Sequence, residues 1–110
     1  MTIQDKSIWR NKKTDNIYTV VCSAKDANNN DYVIYQRQDK TLPTQSSFLV
    51  RHSESLLIGS CLLLPTANQR MKWFVEFQIH SDDMKLFDKE MPWCRPSFLW
   101  AEKFVALDEE

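Results

Sequence analysis

Met71-Lys72-Trp73-Phe74-Val75-Glu76-Phe77-Gln78-Ile79-His80 decides how this chain folds. Met71, Trp73, Val75, Phe77 and Ile79 recur at a spacing of two, while Lys72, Glu76, Gln78 and His80 take the alternate positions with Phe74 as the one apolar intruder. That is the period of a strand with one face buried, and its β-branched and aromatic residues favour the same state. Other strands must therefore pack on the apolar face.

The flanking segments supply them. Leu56 to Leu64 and Ser46 to His52 read as two further strands, with Ser53-Glu54-Ser55 as the turn between them and Pro65 to Arg70 as the turn into the Met71 strand. Gly59, the only glycine, lies inside an apolar run, where it signals a bulge or a close backbone approach. Upstream, Ile17 to Ser23 and Tyr32 to Gln38 make a hairpin around Lys25-Asp-Ala-Asn-Asn-Asn-Asp31. Asn and Asp accept the left-handed conformation and bond their own backbone, so this run does the work usually given to glycine. Asp39 to Gln45, with Pro43, is a loop. Met1 to Asn11 reads as a short edge strand or a flexible arm reaching to Lys13.

Downstream, Ser81 to Glu90 is either one or two helical turns capped by Ser81 or a charged loop. Trp93-Cys94-Arg95 is extended because it precedes Pro96. Pro96 suits the first position of a short helix over Ser97 to Phe104, with Phe98, Ala101 and Val105 on its apolar stripe and Trp100 and Phe104 beside it. The tail from 106 to 110 should fray. The expectation is one domain of mainly β class: five or six strands in a small antiparallel sheet, curled like a barrel, with a short C-terminal helix.

Composition narrows the partners. A formal net charge of −1 sets up no global field for nucleic acid or an anionic membrane. The longest apolar run, Leu56 to Leu64, is far shorter than the ~20 residues a spanning helix needs. The charge is nonetheless uneven, with seven Lys/Arg and five Asp/Glu in the first forty residues but four and eight from 81 onward. Cys22, Cys61 and Cys94 are odd in number and widely spaced, which fits reduced thiols in a cytoplasm rather than a disulfide framework. Neither they nor His52 and His80 have metal-ligand spacing, and one glycine leaves no phosphate-cradling loop. No metal, cofactor or catalytic residue is expected.

Ile17-Tyr18-x-Val20, then Val33-Ile34-Tyr35-Gln36, then Trp93-x-Arg95-Pro96-x-x-x-Trp100-x-Glu102-Lys103 together resemble the pattern of a family of short bacterial and phage proteins classed as a domain of unknown function. Trp100 stands where that family usually has Phe, and roughly half the chain, from Arg37 to Met91, separates segments that are close together in the family. The resemblance implies a compact β-rich protein of a kind encoded on mobile elements, and it brings no known activity, cofactor or catalytic residue.

Trp93 and Arg95 share a face if extended, and Tyr35 and Arg37 do likewise on the hairpin. An aromatic platform beside guanidinium groups can stack on and clamp a nucleotide or an acidic peptide. Set against that is a structural role, with Trp93 in the core and Arg95 tying the helix to the barrel. Two further readings are weaker. Arg95 can lower the pKa of Cys94 and make it a nucleophile, and Lys6, Trp9, Arg10, Lys12 and Lys13 can act as an arm along a nucleic-acid backbone. Two functions stay open: a non-enzymatic β-barrel interaction module, acting as an accessory or inhibitor protein of a mobile element, or a binder of a small nucleotide-like anion. The partners they imply are a protein, such an anion, or a second copy of the chain.

Overall fold

The computed structural model of the chain describes residues 3–78 and 91–107. Its strands are β1 (Ile8–Asn11), β2 (Ile17–Lys25), β3 (Asp31–Arg37), β4 (Ser47–His52), β5 (Ile58–Pro65), β6 (Met71–Gln78) and β7 (Trp93–Pro96). A 3-10 turn (Ser97–Leu99), a single-turn helix α1 (Trp100–Lys103) and a last strand β8 (Phe104–Ala106) complete it. The expected barrel is present and closed: six strands follow one another in the order β2-β3-β7-β4-β5-β6, and β6 returns to β2.

Two local units build the ring. One is the hairpin β2–β3; the other is the meander β4–β5–β6, both antiparallel. They meet directly at one short parallel seam, Ala24↔Trp73 with Lys25↔Phe74, and on the other side through β7, which pairs antiparallel with β3 and parallel with β4 at Arg51↔Trp93 and His52↔Cys94. The sheet is therefore mixed rather than wholly antiparallel. β1 and β8 extend outward from β2 as an added layer, since β1 pairs with β2 on one side and β8 on the other.

Turn chemistry compensates for the missing glycines. Asp26 Oδ1 accepts the backbone N–H groups of Asn28 and Asn30 at 2.9 Å each, and Asn29 sits at a φ of 65°. Asp15 does the same job before β2, with a φ of 63°. Lys6 and Gln69 also take positive φ values, 67° and 66°, without the short polar side chain that eases that conformation.

Six strands enclose a narrower space than the eight that just fit side chains inside. The interior is accordingly lined by small residues: Cys22, Ala24, Val50, Cys61, Val75 and Cys94, with Ile34 the largest of the buried set. Tyr32, Phe48, Trp73 and Phe77 pack at its margins. At Gly59 a Cβ would lie 2.9 Å from Val75 Cγ2 and 3.0 Å from the Phe77 ring, so the glycine marks a close approach. On β6, Trp73, Val75 and Phe77 face inward as their alternation requires, but Met71 at the strand's start is 54 % exposed. Ile79 lies outside the described residues, as does the segment from Ser81 to Glu90.

A second core lies outside the ring. Trp9, Val20, Val33, Tyr35, Trp100, Phe104 and Ala106 are buried between the outer face of the β2–β3–β7 wall and the layer formed by β1, α1 and β8. Trp100 and Phe104, four residues apart across the helical turn, stack with centroids 4.0 Å apart. Trp100 also meets Tyr35 and Trp9 edge-on at 5.1 and 5.6 Å. The two cores are reached by one strand because β2 carries a bulge between Val20 and Cys22. Val20 packs in the outer cluster and Cys22 in the inner one, although residues two apart on a regular strand share a face.

The C-terminal expectation needs correction. Helical geometry stops after Lys103, because Phe104 turns to an extended conformation (φ −127°, ψ 143°) and joins β1. A stripe at helical spacing therefore never forms: Phe98 is 82 % exposed and Ala101 is exposed, while Trp100 and Phe104 carry the packing. Ala106, placed in a fraying tail by the sequence, is buried opposite Trp9. The amino-terminal segment forms β1, which is flanked on both sides rather than lying at an edge.

Candidate functional site

β7 presents alternate residues to opposite sides. Cys94 points into the barrel, whereas Trp93 and Arg95 point outward, opposite Tyr35 and Val33 of β3. Arg51, the register partner of Trp93 on β4, lays its guanidinium over the Trp93 ring, 3.8 Å from the centroid, and donates from Nη2 to Met91 O at 3.0 Å.

Arg95 is 3 % exposed and well supplied with acceptors. Its Nε donates to Leu99 O at 3.1 Å, and Nη1 donates to Ser53 Oγ at 3.4 Å and to Glu54 Oε1. Glu54 sits on the turn between β4 and β5 with 42 % of its side chain exposed. A guanidinium withdrawn from water in this way is tolerable only with such partners. Arg95 thus ties the 3-10 turn to the barrel, as the structural reading of the sequence required. It does so without being sealed off.

Tyr35, Trp93 and Arg95 line a single outward cavity of about 160 Å³, together with Tyr18, Ser53 and Lys103. Three of the four residues that the sequence put forward are thereby brought together. Arg37 is not among the lining residues; it is exposed, and its Nε lies 3.7 Å from Asp39. Burial pushes the Tyr35 phenol well above its ordinary pKa, opposed by the Arg95 charge, so it stays a neutral donor at physiological pH. Lys103 belongs to the sequence segment that includes Trp93 and Arg95, but Tyr18, Ser53 and Glu54 reach the site only through long-range strand pairing. No local pattern marks them.

The nucleophile reading fails. Cys94 is fully buried among apolar side chains, and that burial pushes its thiol far above the usual range, away from the thiolate that attack requires. His52 is its neighbour across the β4–β7 seam. Its Nδ1 is already the acceptor for the Glu54 backbone N–H at 3.0 Å. The basic-arm reading fails for a similar reason. Trp9 is 3 % exposed in the outer core, Arg10 is paired to Asp15 at 2.8 Å, and Lys12 Nζ donates to Ala101 O at 2.8 Å.

No family model matches the chain. Comparison with curated proteins and with solved structures likewise finds no match. Among the described residues there is no cluster of three or more metal-ligating side chains, and no helix is long and apolar enough to cross a membrane.

Proposed function

We propose that the protein works by binding rather than catalysis, as a small β-barrel interaction module whose contact centres on Trp93 and Arg95. In keeping with the resemblance of its Tyr-Gln and Trp-x-Arg-Pro segments, its role is that of an accessory or inhibitor protein of a mobile element. The observation that carries the reading is the convergence of Tyr35, Trp93, Arg95 and Lys103 on one cavity. Its volume, about 160 Å³, lies below the ~300 Å³ at which small-molecule pockets begin. It suits one side chain of a protein partner, and its two cations, Lys103 and an Arg95 already paired to Glu54, favour an acidic one. Aromatic and arginine residues in such pockets carry much of the binding energy in protein interfaces.

The test is calorimetry against a partner purified on the immobilised protein. Trp93→Ala and Lys103→Glu should each weaken binding at least tenfold, about 1.4 kcal/mol. Unchanged affinity in both variants would remove the corner from the interface. A second reading, a small anion held by Arg95 and Lys103, draws on the same two charges. It is checked by thermal shift, since an anion at a hundred times its dissociation constant adds about 2.7 kcal/mol.

A further inference from the structure

Among the described residues, none forms a second layer over the outer face of the β4–β5–β6 meander. Its outward positions are Leu49 on β4, Ile58, Ser60, Leu62 and Leu64 on β5, and Lys72, Phe74, Glu76 and Gln78 on β6, opposite in phase to the inward Val50, Cys61 and Val75. Leu49 and Leu64 are 51 % and 43 % exposed, and Leu62 and Phe74, which pair directly across the strands, are half-buried. Hollows of about 290 and 380 Å³ flank the Lys25↔Phe74 pairing, leaving room beside the ring. Single exposed apolar residues need no explanation, but a contiguous group of them marks an interaction surface.

We propose that this face joins two copies of the chain in a symmetric dimer. The argument is the order of charges along β6. Lys72 and Glu76 are both exposed and stand one outward position either side of the dimer centre at Phe74, about 13 Å apart at ~3.3 Å per residue. A two-fold axis lying in the interface and crossing β6 at Phe74 reverses the strand direction in the second copy. Phe74 then faces Phe74, Leu62 faces Leu62, and each Lys72 faces Glu76 of the other copy. An axis along the strand would oppose Lys72 to Lys72 and is disfavoured. A surface complementary to itself is what a two-fold interface needs. A uniformly acidic or basic partner, or an anionic lipid surface, would repel one of these two charges.

Three strands ~4.8 Å apart and about seven residues long span on the order of 350 Å² per copy, well under the ~800 Å² of a standard interface. The dimer is therefore of the weak, transient kind.

Sedimentation velocity on the full chain at low salt, up to the highest concentration the protein reaches in solution, tests it. Association should rise with concentration and weaken at least tenfold in Lys72→Glu and in Glu76→Lys, because each charge contact occurs twice across the axis. The double exchange, Lys72→Glu with Glu76→Lys, should restore it. All three variants change exposed residues, so their thermal midpoints serve as the control for folding. A monomer at every concentration overturns the proposal. So does association that single reversals leave intact, association that the double exchange fails to restore, or capture of the bare face by a lipid vesicle or an unrelated protein in place of self-association.

Discussion

The two outer walls of the barrel differ in what covers them. Over β2–β3–β7 lies a layer of stacked aromatic rings from β1, α1 and β8; over β4–β5–β6 the described residues place none, and Leu49 and Leu64 remain about half exposed. The lesson concerns where a narrow barrel keeps its stabilisation. Its interior is filled by Cys, Ala and Val, so the large apolar areas have to be buried outside the ring. Each buried aromatic removes ~150–250 Å² from water, and paired rings add roughly 0.5–1.5 kcal/mol beyond that. The covered wall is where the fold keeps its largest buried rings.

The sharpest break in this contrast comes from Trp100, 1 % exposed and in contact with Trp9, Tyr35 and Phe104. Trp100→Ala should cost about 3–5 kcal/mol in urea unfolding, while Phe98→Ala, two residues away and 82 % exposed, should stay within about 0.5 kcal/mol. Equal effects would mean that the outer layer is not a core. Inside the ring the expected change is smaller. Gly59→Ala places a methyl group 2.9 Å from Val75 Cγ2 and should cost about 1–3 kcal/mol by overpacking.

The smallest effect concerns pH and touches only the inner core. Burial lowers the His52 pKa below its ordinary value; the Glu54 charge opposes this and the Arg95 charge reinforces it. His52 also packs edge-on to Tyr32 and Phe77, at 6.1 and 5.3 Å, and accepts the Glu54 N–H. The neutral ring is thus the form the native state prefers. In the unfolded chain the group takes up its proton near pH 6.5, so its contribution is complete above that pH and is lost as pH falls from there toward the depressed native value. Thermal midpoints measured from pH 7.5 down to 5 should decline over this window in the native sequence, and less steeply in His52→Phe.

Local pairing explains which parts were legible in the sequence. The hairpin around Asp26 to Asn30, the meander and the extended Trp93–Arg95 segment follow from alternation and turn residues that sit next to each other in the chain. The two parallel seams join residues far apart in sequence, and no periodicity announces them. Trp100 and Phe104 were seen as neighbours of a stripe rather than as the centre of a core, because a one-turn helix running into a strand mimics helical spacing. At the site, Trp93, Arg95 and Tyr35 could be grouped from strand alternation. Arg37 could not be separated from them, since parity fixes the side of the sheet and not the reach of the cavity. The partner that occupies Arg95, Glu54, comes from a turn with no distinguishing pattern.

Val21 is the surplus residue of the β2 bulge, and it acts on the strand as an inserted letter acts on a reading frame. With it, Val20 belongs to one core and Cys22 and Ala24 to the other. Were the strand regular through Val21 instead of bulged, everything downstream on β2 would trade sides: Ser23 and Lys25 would enter the barrel while Cys22 and Ala24 turned outward. The chain's division of labour between a small-residue lumen and an aromatic outer layer hangs on the bulge that absorbs that extra position.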